Sequence, residues 1–190
     1  MTATRERILD ATADLFRVRG YTGTGMKQVV ARAEAPFGSV YHYFPGGKEQ
    51  LAAEAIERAG RFYHDLVLAV FDAEADVVAG TRAVFAGAGE VLRSSGYEDA
   101  CPIATVALEV ASTSEPLRQA SDRVFESWLA SLSSRLVDAG ADAGAARAAS
   151  ISVVALLEGA FLLSRAARTT EAMDAAGAAA VALVEAALDG

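Results

Sequence analysis

The 190-residue sequence has one cysteine and two histidines, so it is poor in side chains that form disulfides, bind metals or act as nucleophiles. Cys101 has no partner within the chain for a disulfide. His42 has no second candidate ligand three or four residues away, and His64 beside Asp65 is an isolated pair. Phosphate-binding loops, nucleophile elbows and metal-ligand spacings are also missing from the sequence. We therefore expect no enzyme, no metal and no cofactor.

Long uninterrupted apolar runs are missing too. The two most apolar runs, residues 151–163 and 175–188, contain Glu158 and Glu185 and are shorter than the roughly 20 residues that cross a membrane. Charged residues interrupt the N-terminal segment, which therefore does not look like a signal peptide. We expect a cytoplasmic protein without a membrane partner.

Aromatic residues are few, at 7%, and no regular alternating strand pattern is present. The hydrophobic fraction of 53% is rich in Ala and Leu, which are strong helix formers, so the sequence predicts an all-α fold. Apolar spacing and capping residues predict about nine helices, the first six near residues 3–19, 25–33, 37–44, 47–73, 75–94 and 102–111. The seventh follows a cap cluster at residues 112–116 and runs to about 138, the eighth covers about 145–167, and the ninth runs from a cap at Thr169 or Thr170 to about 188. Thr2 or Thr4 is the expected N-cap of the first helix, and Thr24 that of the second.

Residues 26–48 contain two short helical patterns separated by a tight turn. Pro36 marks the start of the second, because proline lacks an N–H and fits the first turn of a helix. Val40 and Phe44, four residues apart, form its predicted inward face. This pattern predicts a helix-turn-helix, whose second helix enters the major groove of DNA.

The charge distribution distinguishes this segment from the remainder of the chain. The net charge is −8, but residues 1–64 hold nine basic and seven acidic side chains, whereas residues 65–190 hold eight and eighteen. Such a small basic excess is weak evidence by itself. We predict a three-helix DNA-binding head at residues 1–46. A long fourth helix would join it to a helical bundle for ligand binding and dimerisation at residues 47–190.

Several short runs in the first 51 residues form an ordered set: Ile8-Leu9-Asp10-Ala11, Leu15-Phe16, Arg19-Gly20-Tyr21, Val29-Val30, and residues 38–45 and 48–51. Together they resemble the TetR (tetracycline repressor) family of bacterial regulators. Residues 44–51 and 101–104 are similar to its LmrA/YxaF-like branch. The resemblance implies a ligand-responsive DNA-binding regulator, with repression as the expected mode.

Two residues depart from the family pattern. Glu34 stands where the turn usually has glycine, and a carboxylate there would weaken affinity near phosphates. Phe37 stands where a polar or basic residue is common. It cannot hydrogen-bond a base, but it could pack on a thymine methyl group. The operator sequence is therefore open.

By position in the motif, the resemblance implies two sets of DNA contacts. The base-edge candidates are Ser39 and His42, with close approach at Phe37 and Gly38. The phosphate candidates are Thr24, Lys27, Tyr41, Tyr43 and Lys48. Phosphate contacts set register and affinity, whereas base contacts set sequence preference. Tyr43 could instead be half-buried packing, and Lys27 could simply be solvated.

A single head reads too few base pairs for a useful operator. A homodimer would place two recognition helices about 34–36 Å apart on a near-palindrome of double-stranded DNA. The last two helices are rich in small and aliphatic residues, and their candidate interface residues are Ile151, Val154, Leu162, Val181, Leu183, Val184 and Leu188. The alternative for each is the core of a single chain.

The bundle is expected to hold an effector pocket, which would be mainly apolar with a few polar groups. The candidate lining residues are Phe62, Leu66, Phe85, Val106, Glu109, Phe125, Trp128, Glu158 and Phe161. Any of the apolar ones could be plain core. Glu109 and Glu158 could meet a cationic ligand, cap a helix, pair with an arginine or face water. The resemblance implies a small apolar or aromatic effector.

The sequence thus predicts a repressor that a small effector releases from a palindromic operator. The alternative is a helical small-molecule-binding or adaptor protein without DNA binding. Salt dependence of DNA binding separates the two, because neutralising phosphates gives a steep salt slope.

Overall fold

The computed structural model describes residues 3–190, and all regular elements in that range are helices. The helices are α1 (Ala3–Arg19), α2 (Met26–Arg32), α3 (Phe37–Tyr43), α4 (Gly47–Ala73), α5 (Val77–Ser94), α6 (Pro102–Val110), α7 (Glu115–Asp138), α8 (Ala143–Ala167) and α9 (Glu171–Asp189). The all-α prediction is confirmed, and the bounds of α1 and α4 coincide with the predicted ones.

Capping side chains determine where several helices begin. Asp76 accepts a hydrogen bond from Ala79 N at 2.8 Å, so α5 starts at Val77. Asp142 accepts hydrogen bonds from the backbone at the start of α8 in the same way. Such carboxylates satisfy N–H groups that have no partner within the helix. Of the two predicted caps for α1, Thr4 lies inside the helix, and Thr2 lies outside the described residues.

Contacts divide the chain into two compact units that do not follow chain order. The first comprises the described part of Met1–Tyr63 together with Ala100–Phe125, and the second comprises His64–Asp99 together with Glu126–Gly190. Helix α6 therefore belongs to the same unit as α1, α2 and α3, although 58 residues separate it from the end of α3 and 82 from the end of α1. This division by contacts differs from the functional boundary predicted at residues 46 and 47, which stays a prediction.

One hydrophobic core of the first unit lies among α1, α2, α3 and the start of α4. Val40 and Phe44 are fully buried there, as their four-residue spacing predicts. They pack with Ile8, Val29 and Leu51. Burying these side chains holds α3 by one face, which leaves its other face at the surface.

The second unit is built on close contacts of α9 with α5 and α8. Glycines allow two of the approaches, since a Cβ atom at Gly80 would lie 2.2 Å from the Phe71 ring and one at Gly177 would lie 2.9 Å from Phe85. Helix α8 is long and apolar enough to cross a membrane by length and composition alone. In this structure it packs against α9, and core helices of globular proteins pass the same test.

Candidate nucleic-acid interface

The start of α2 is organised by the loop before it. Gly25, rather than the predicted Thr24, is the N-cap residue. The Gln28 side chain accepts a hydrogen bond from Gly25 N at 2.9 Å. The buried Thr24 hydroxyl donates to Gly20 O at 2.7 Å. Thr24 therefore holds the loop together, and its hydroxyl does not reach the surface where a phosphate would bind.

The turn between α2 and α3 contains a strained residue. Glu34 has a φ of 48°, in the left-handed region that favours glycine. The turn nevertheless closes with a hydrogen bond from Ala35 N to Val30 O at 3.0 Å, and Arg7 donates to Ala33 O at 3.1 Å. The geometry therefore explains why the family pattern has glycine where this chain has Glu34.

Helix α3 presents an exposed face of mixed chemistry, which we call the recognition face: Phe37, Gly38, Tyr41 and His42. A Cβ atom at Gly38 would meet nothing within 4 Å, so a surface can approach the backbone there. Phe37 and Tyr41 pack their rings together with centroids 5.8 Å apart. An open backbone beside polar and aromatic side chains can contact both the hydrogen-bonding groups and the methyl groups of base edges.

The remaining candidates on the motif are placed differently. Ser39 and Tyr43 are half-buried, and the Tyr43 ring packs against the core of the first unit and against His42. This placement favours the packing alternative for the Tyr43 ring. Lys27 is exposed on α2, where both the phosphate role and simple solvation are compatible with its position.

Comparison with known proteins assigns this arrangement to a family. Residues 8–55 match the family model of bacterial regulatory proteins of the tetR family, and residues 77–179 match the C-terminal domain of LmrA/YxaF-like transcriptional regulators. The chain belongs to the TetR family of transcriptional regulators. Its C-terminal part places it in the LmrA/YxaF-like group of that family.

Relatives over most of the length agree with this assignment. The transcriptional regulator LmrA of Bacillus subtilis (strain 168) is 34% identical over 166 residues, covering 87% of this chain and 88% of LmrA. The uncharacterized regulator YxaF of the same strain is 33% identical over 160 residues, covering 84% of each protein.

Solved structures show the same fold. The reduced form of Escherichia coli NemR superposes with a TM-score of 0.83 at 26% identity, covering 94% of this chain and 95% of NemR. The regulatory protein TetR from Rhodobacter sphaeroides has a TM-score of 0.84 at 19% identity, covering 96% of this chain and 99% of that one. The second likeness concerns the fold alone.

Lys48, a predicted phosphate contact of this TetR-family head, makes an internal contact instead of pointing freely outward. Its ammonium donates to Tyr21 O at 2.7 Å and lies 4.2 Å from the centroid of the Tyr21 ring. Partial burial lowers the pKa of Lys48 below its ordinary value, and the nearby Glu109 carboxylate opposes that change. An ammonium has three N–H donors, so a phosphate contact would use those that Tyr21 O leaves.

Glu109, predicted as a ligand contact, lies against the loop between α1 and α2. Its carboxylate accepts hydrogen bonds from Tyr21 N at 3.1 Å and from Thr22 N at 2.8 Å. Both carboxylate oxygens accept hydrogen bonds from the loop, which favours a structural role for Glu109, and the ligand role stays a prediction. Sequence inspection missed this contact because the partners are 87 and 88 residues apart.

The other predicted effector residues are divided between the two units. Phe62, Val106 and Phe125 belong to the first unit, and Leu66, Phe85, Trp128, Glu158 and Phe161 belong to the second. Phe85 and Val106 are fully packed core residues, whereas Phe62 and Leu66 are exposed. Neither unit by itself contains the predicted set, so the lining of an effector pocket stays a prediction.

The predicted dimer residues separate into surface and core. Leu162, Ile151 and Leu183 are exposed apolar side chains on α8 and α9. Leu183 also lines a shallow apolar groove with Ser152, Ala155, Leu156, Ala179 and Ala182. Val154, Val181 and Leu188 are half-buried. Val184 is 0% exposed in the core of the second unit, so it has no surface to offer a partner.

Proposed function

We propose that this chain is a homodimeric repressor that binds a near-palindromic DNA operator and leaves it when a small apolar or aromatic effector binds. One observation carries the DNA-binding part. Helix α3 is held by the fully buried Val40 and Phe44, and it presents Phe37, Tyr41 and His42 on its exposed face. A short helix anchored on one side and exposed on the other suits insertion into the major groove.

The exposed apolar side of α8 and α9 supports the homodimer. Leu162 is 60% exposed on α8, and the groove along α8 and α9 includes three alanines that would let another helix approach closely. Large exposed apolar patches on a soluble chain commonly mark protein interfaces. Two copies joined there would supply the two recognition helices that a palindrome requires.

The effector part rests on family membership and on thermodynamic linkage. An effector can release DNA only if it binds better to a conformation that binds DNA poorly. The coupling is reciprocal, so the operator must weaken effector binding by the same factor. We expect a small apolar or aromatic molecule, and we place the protein in the cytoplasm, where operator DNA lies in bacteria.

The test is in vitro selection of a duplex from a randomised library by the full-length chain, followed by fluorescence anisotropy with the selected duplex. We expect a near-palindromic sequence whose log affinity falls with log salt by about 0.9 for each phosphate neutralised. His42→Ala should change the selected sequence, whereas His64→Ala, at the other histidine, should not. A library that is not enriched would refute DNA binding and favour the adaptor alternative.

Effector action is tested separately with the same duplex and a panel of small aromatic compounds. A compound that releases the duplex should bind the free protein more tightly than the complex, by the same factor. Equal affinity for both forms would show that the compound is not an effector.

A further inference from the structure

The loop between α1 and α2, residues 20–25, is held from outside by a side chain of α6. Glu109 uses one carboxylate oxygen for Tyr21 N at 3.1 Å and the other for Thr22 N at 2.8 Å. We call this pair of hydrogen bonds the Glu109 bridge. Both amides lie in the loop after α1, and the carboxylate supplies each of these backbone donors with an acceptor.

The same loop is held on its other side by α4. Lys48 donates to Tyr21 O at 2.7 Å, while its ammonium lies over the Tyr21 ring. The Tyr21 residue is therefore held through its N–H by α6 and through its carbonyl by α4. A second contact joins the same parts of the chain, since the Ser114 hydroxyl after α6 donates to Glu49 of α4 at 2.5 Å.

Gly20 shows how closely the carboxylate approaches the loop. A Cβ atom at Gly20 would lie 1.6 Å from Oε1 of Glu109 and 2.7 Å from its Cδ. Gly20 also has a φ of 68°, which suits glycine. No larger residue fits at this position while Glu109 stays in place.

The position of the loop determines where α2 begins. The Thr24 hydroxyl bonds Gly20 O, and Thr24 N donates to Tyr21 O at 3.2 Å, so the two ends of the loop are tied together. Gly25 follows at once as the N-cap of α2. A shift of residues 20–22 would therefore move the start of α2, and α2 packs on α3.

We propose that Glu109 is a positioning residue for operator binding: the Glu109 bridge sets the position of the loop that leads into the helix-turn-helix. This inference rests on the proposed DNA-binding function. Glu109 lies in the part matching the C-terminal family model, whereas Tyr21 and Thr22 lie in the part matching the N-terminal one. Any change that withdraws α6 would then release the loop through these two bonds.

Charge alone predicts that losing the Glu109 carboxylate changes DNA affinity in the opposite direction. Removing a carboxylate beside a DNA-binding head should strengthen attraction to phosphates and tighten binding. If the Glu109 bridge positions the head, removing the same carboxylate should weaken binding to the selected operator. The direction of the change in affinity therefore distinguishes positioning from charge.

The experiment compares the full-length chain with Glu109→Ala and Glu109→Gln. The control is Glu74→Ala, which removes an exposed carboxylate from the second unit, away from the exposed side of α8 and α9. The probe is the duplex selected in vitro by the wild-type chain, and a scrambled duplex reports non-specific binding. We expect Glu109→Ala to lower the affinity for the selected duplex about tenfold, because hydrogen bonds to charged groups are stronger than those between neutral groups. Glu109→Gln keeps one acceptor oxygen, so its affinity should lie between those of the wild type and Glu109→Ala.

Amide hydrogen exchange supplies a readout at the loop itself. Tyr21 N and Thr22 N should exchange faster in Glu109→Ala than in the wild type, and Glu74→Ala should leave both unchanged. Thermal melts of each variant verify that the chain still folds. If Glu109→Ala does not fold, Glu109→Gln carries the same comparison with a side chain of equal size.

A double-mutant cycle with Gly20→Ala tests the contact directly. The added methyl group collides with the carboxylate only when Glu109 is present, so Gly20→Ala should weaken operator binding more in the wild type than in Glu109→Ala. Additive effects would show that the two positions act independently, which contradicts the proposal.

The outcomes separate this inference from the proposed function. Unchanged or tighter binding by Glu109→Ala, with the wild type binding the selected duplex, overturns the role of Glu109 alone. Failure of the wild type to select any duplex overturns DNA binding and, with it, the role in operator binding. Faster amide exchange without weaker DNA binding makes the Glu109 bridge a stabilising contact only and also overturns the proposal.

Discussion

Phe37 and Tyr41 pack against each other on the exposed side of α3, with ring centroids 5.8 Å apart. Phe37 is 46% exposed and Tyr41 is 52% exposed, so the pair leaves aromatic surface uncovered at the recognition face. Exposed aromatic surface on a groove-reading helix suits the methyl group of thymine, which protrudes into the major groove.

Replacing thymine by deoxyuridine at single positions of the selected duplex should therefore weaken wild-type binding severalfold at one position of each half-site. This replacement removes only the thymine methyl group, which Phe37 is expected to contact. Phe37→Ala should be insensitive to the same replacement. Val18→Ala, which shortens an exposed apolar side chain on α1, should respond like the wild type. Equal affinity for all deoxyuridine duplexes would contradict the contact.

Glu34 combines an unfavourable backbone conformation with a negative charge at the turn. Glu34→Gly should raise the free energy of unfolding by about 1 kcal/mol, because glycine adopts the left-handed region without steric cost. Urea unfolding measures this change. Glu34→Gly should also tighten DNA binding through loss of the charge.

Glu34→Gln separates the two effects. It removes the charge but keeps a side chain in the left-handed region, so DNA binding should tighten without a gain in stability. Equal stability of the Gly and Gln variants would show that the backbone at Glu34 is not strained.

The Glu109 bridge also affects a neighbouring titration. Burial lowers the pKa of Lys48, and the Glu109 carboxylate raises it in opposition. Glu109→Gln removes the raising influence, so the pKa of Lys48 should fall further below its ordinary value. NMR titration of the Lys48 side chain measures the change. A rise in the Lys48 pKa would contradict the placement of Glu109.

Charges placed on the exposed side of α8 and α9 should separate the proposed dimer. Leu162→Glu and Leu183→Glu put a carboxylate where a partner chain would bury an apolar side chain, which is costly without a counter-charge. Light scattering after size exclusion should show monomers at micromolar concentration. Leu108→Glu, at an 81% exposed leucine of α6, should remain dimeric. Dimers in all three variants would exclude this interface.

Two glycines of α5 should respond oppositely to the same substitution. Gly80→Ala places a methyl group 2.2 Å from the Phe71 ring and should destabilise the chain by about 1–3 kcal/mol through overpacking. Gly87→Ala meets nothing within 4 Å and should stabilise α5 by up to about 1 kcal/mol. Calorimetric melting temperatures of the two variants measure the difference. A similar effect at both positions would contradict the close packing at Gly80.

Local chemistry made the helices predictable. The spacing of Val40 and Phe44 predicts a buried side of α3, and Pro36 predicts its start, because both depend on neighbours in sequence. The choice of cap was less predictable. Thr24 and Gly25 both suit the start of α2, and the carbonyl of Gly20 decided between them by accepting the Thr24 hydroxyl.

The surface and the core of α8 and α9 could not be separated from the sequence. Leu183 and Val184 are adjacent apolar residues, yet Leu183 is exposed and Val184 is buried. A helix turns by about 100° per residue, so adjacent residues point in different directions, and the rotation of α9 about its axis decides which of the two is buried. Packing against α5 and α8 sets that rotation.

The sequence alone determined the all-α fold, the helix-turn-helix and the family, because each depends on side-chain periodicity and short motifs among near neighbours. Only the tertiary structure decided what Glu109 contacts. Its partners, Tyr21 and Thr22, are 88 and 87 residues away, and they are bonded through backbone N–H groups that every residue except proline possesses. Residue type does not reveal a backbone donor, so the contact is visible only in the structure, where α6 lies beside the loop.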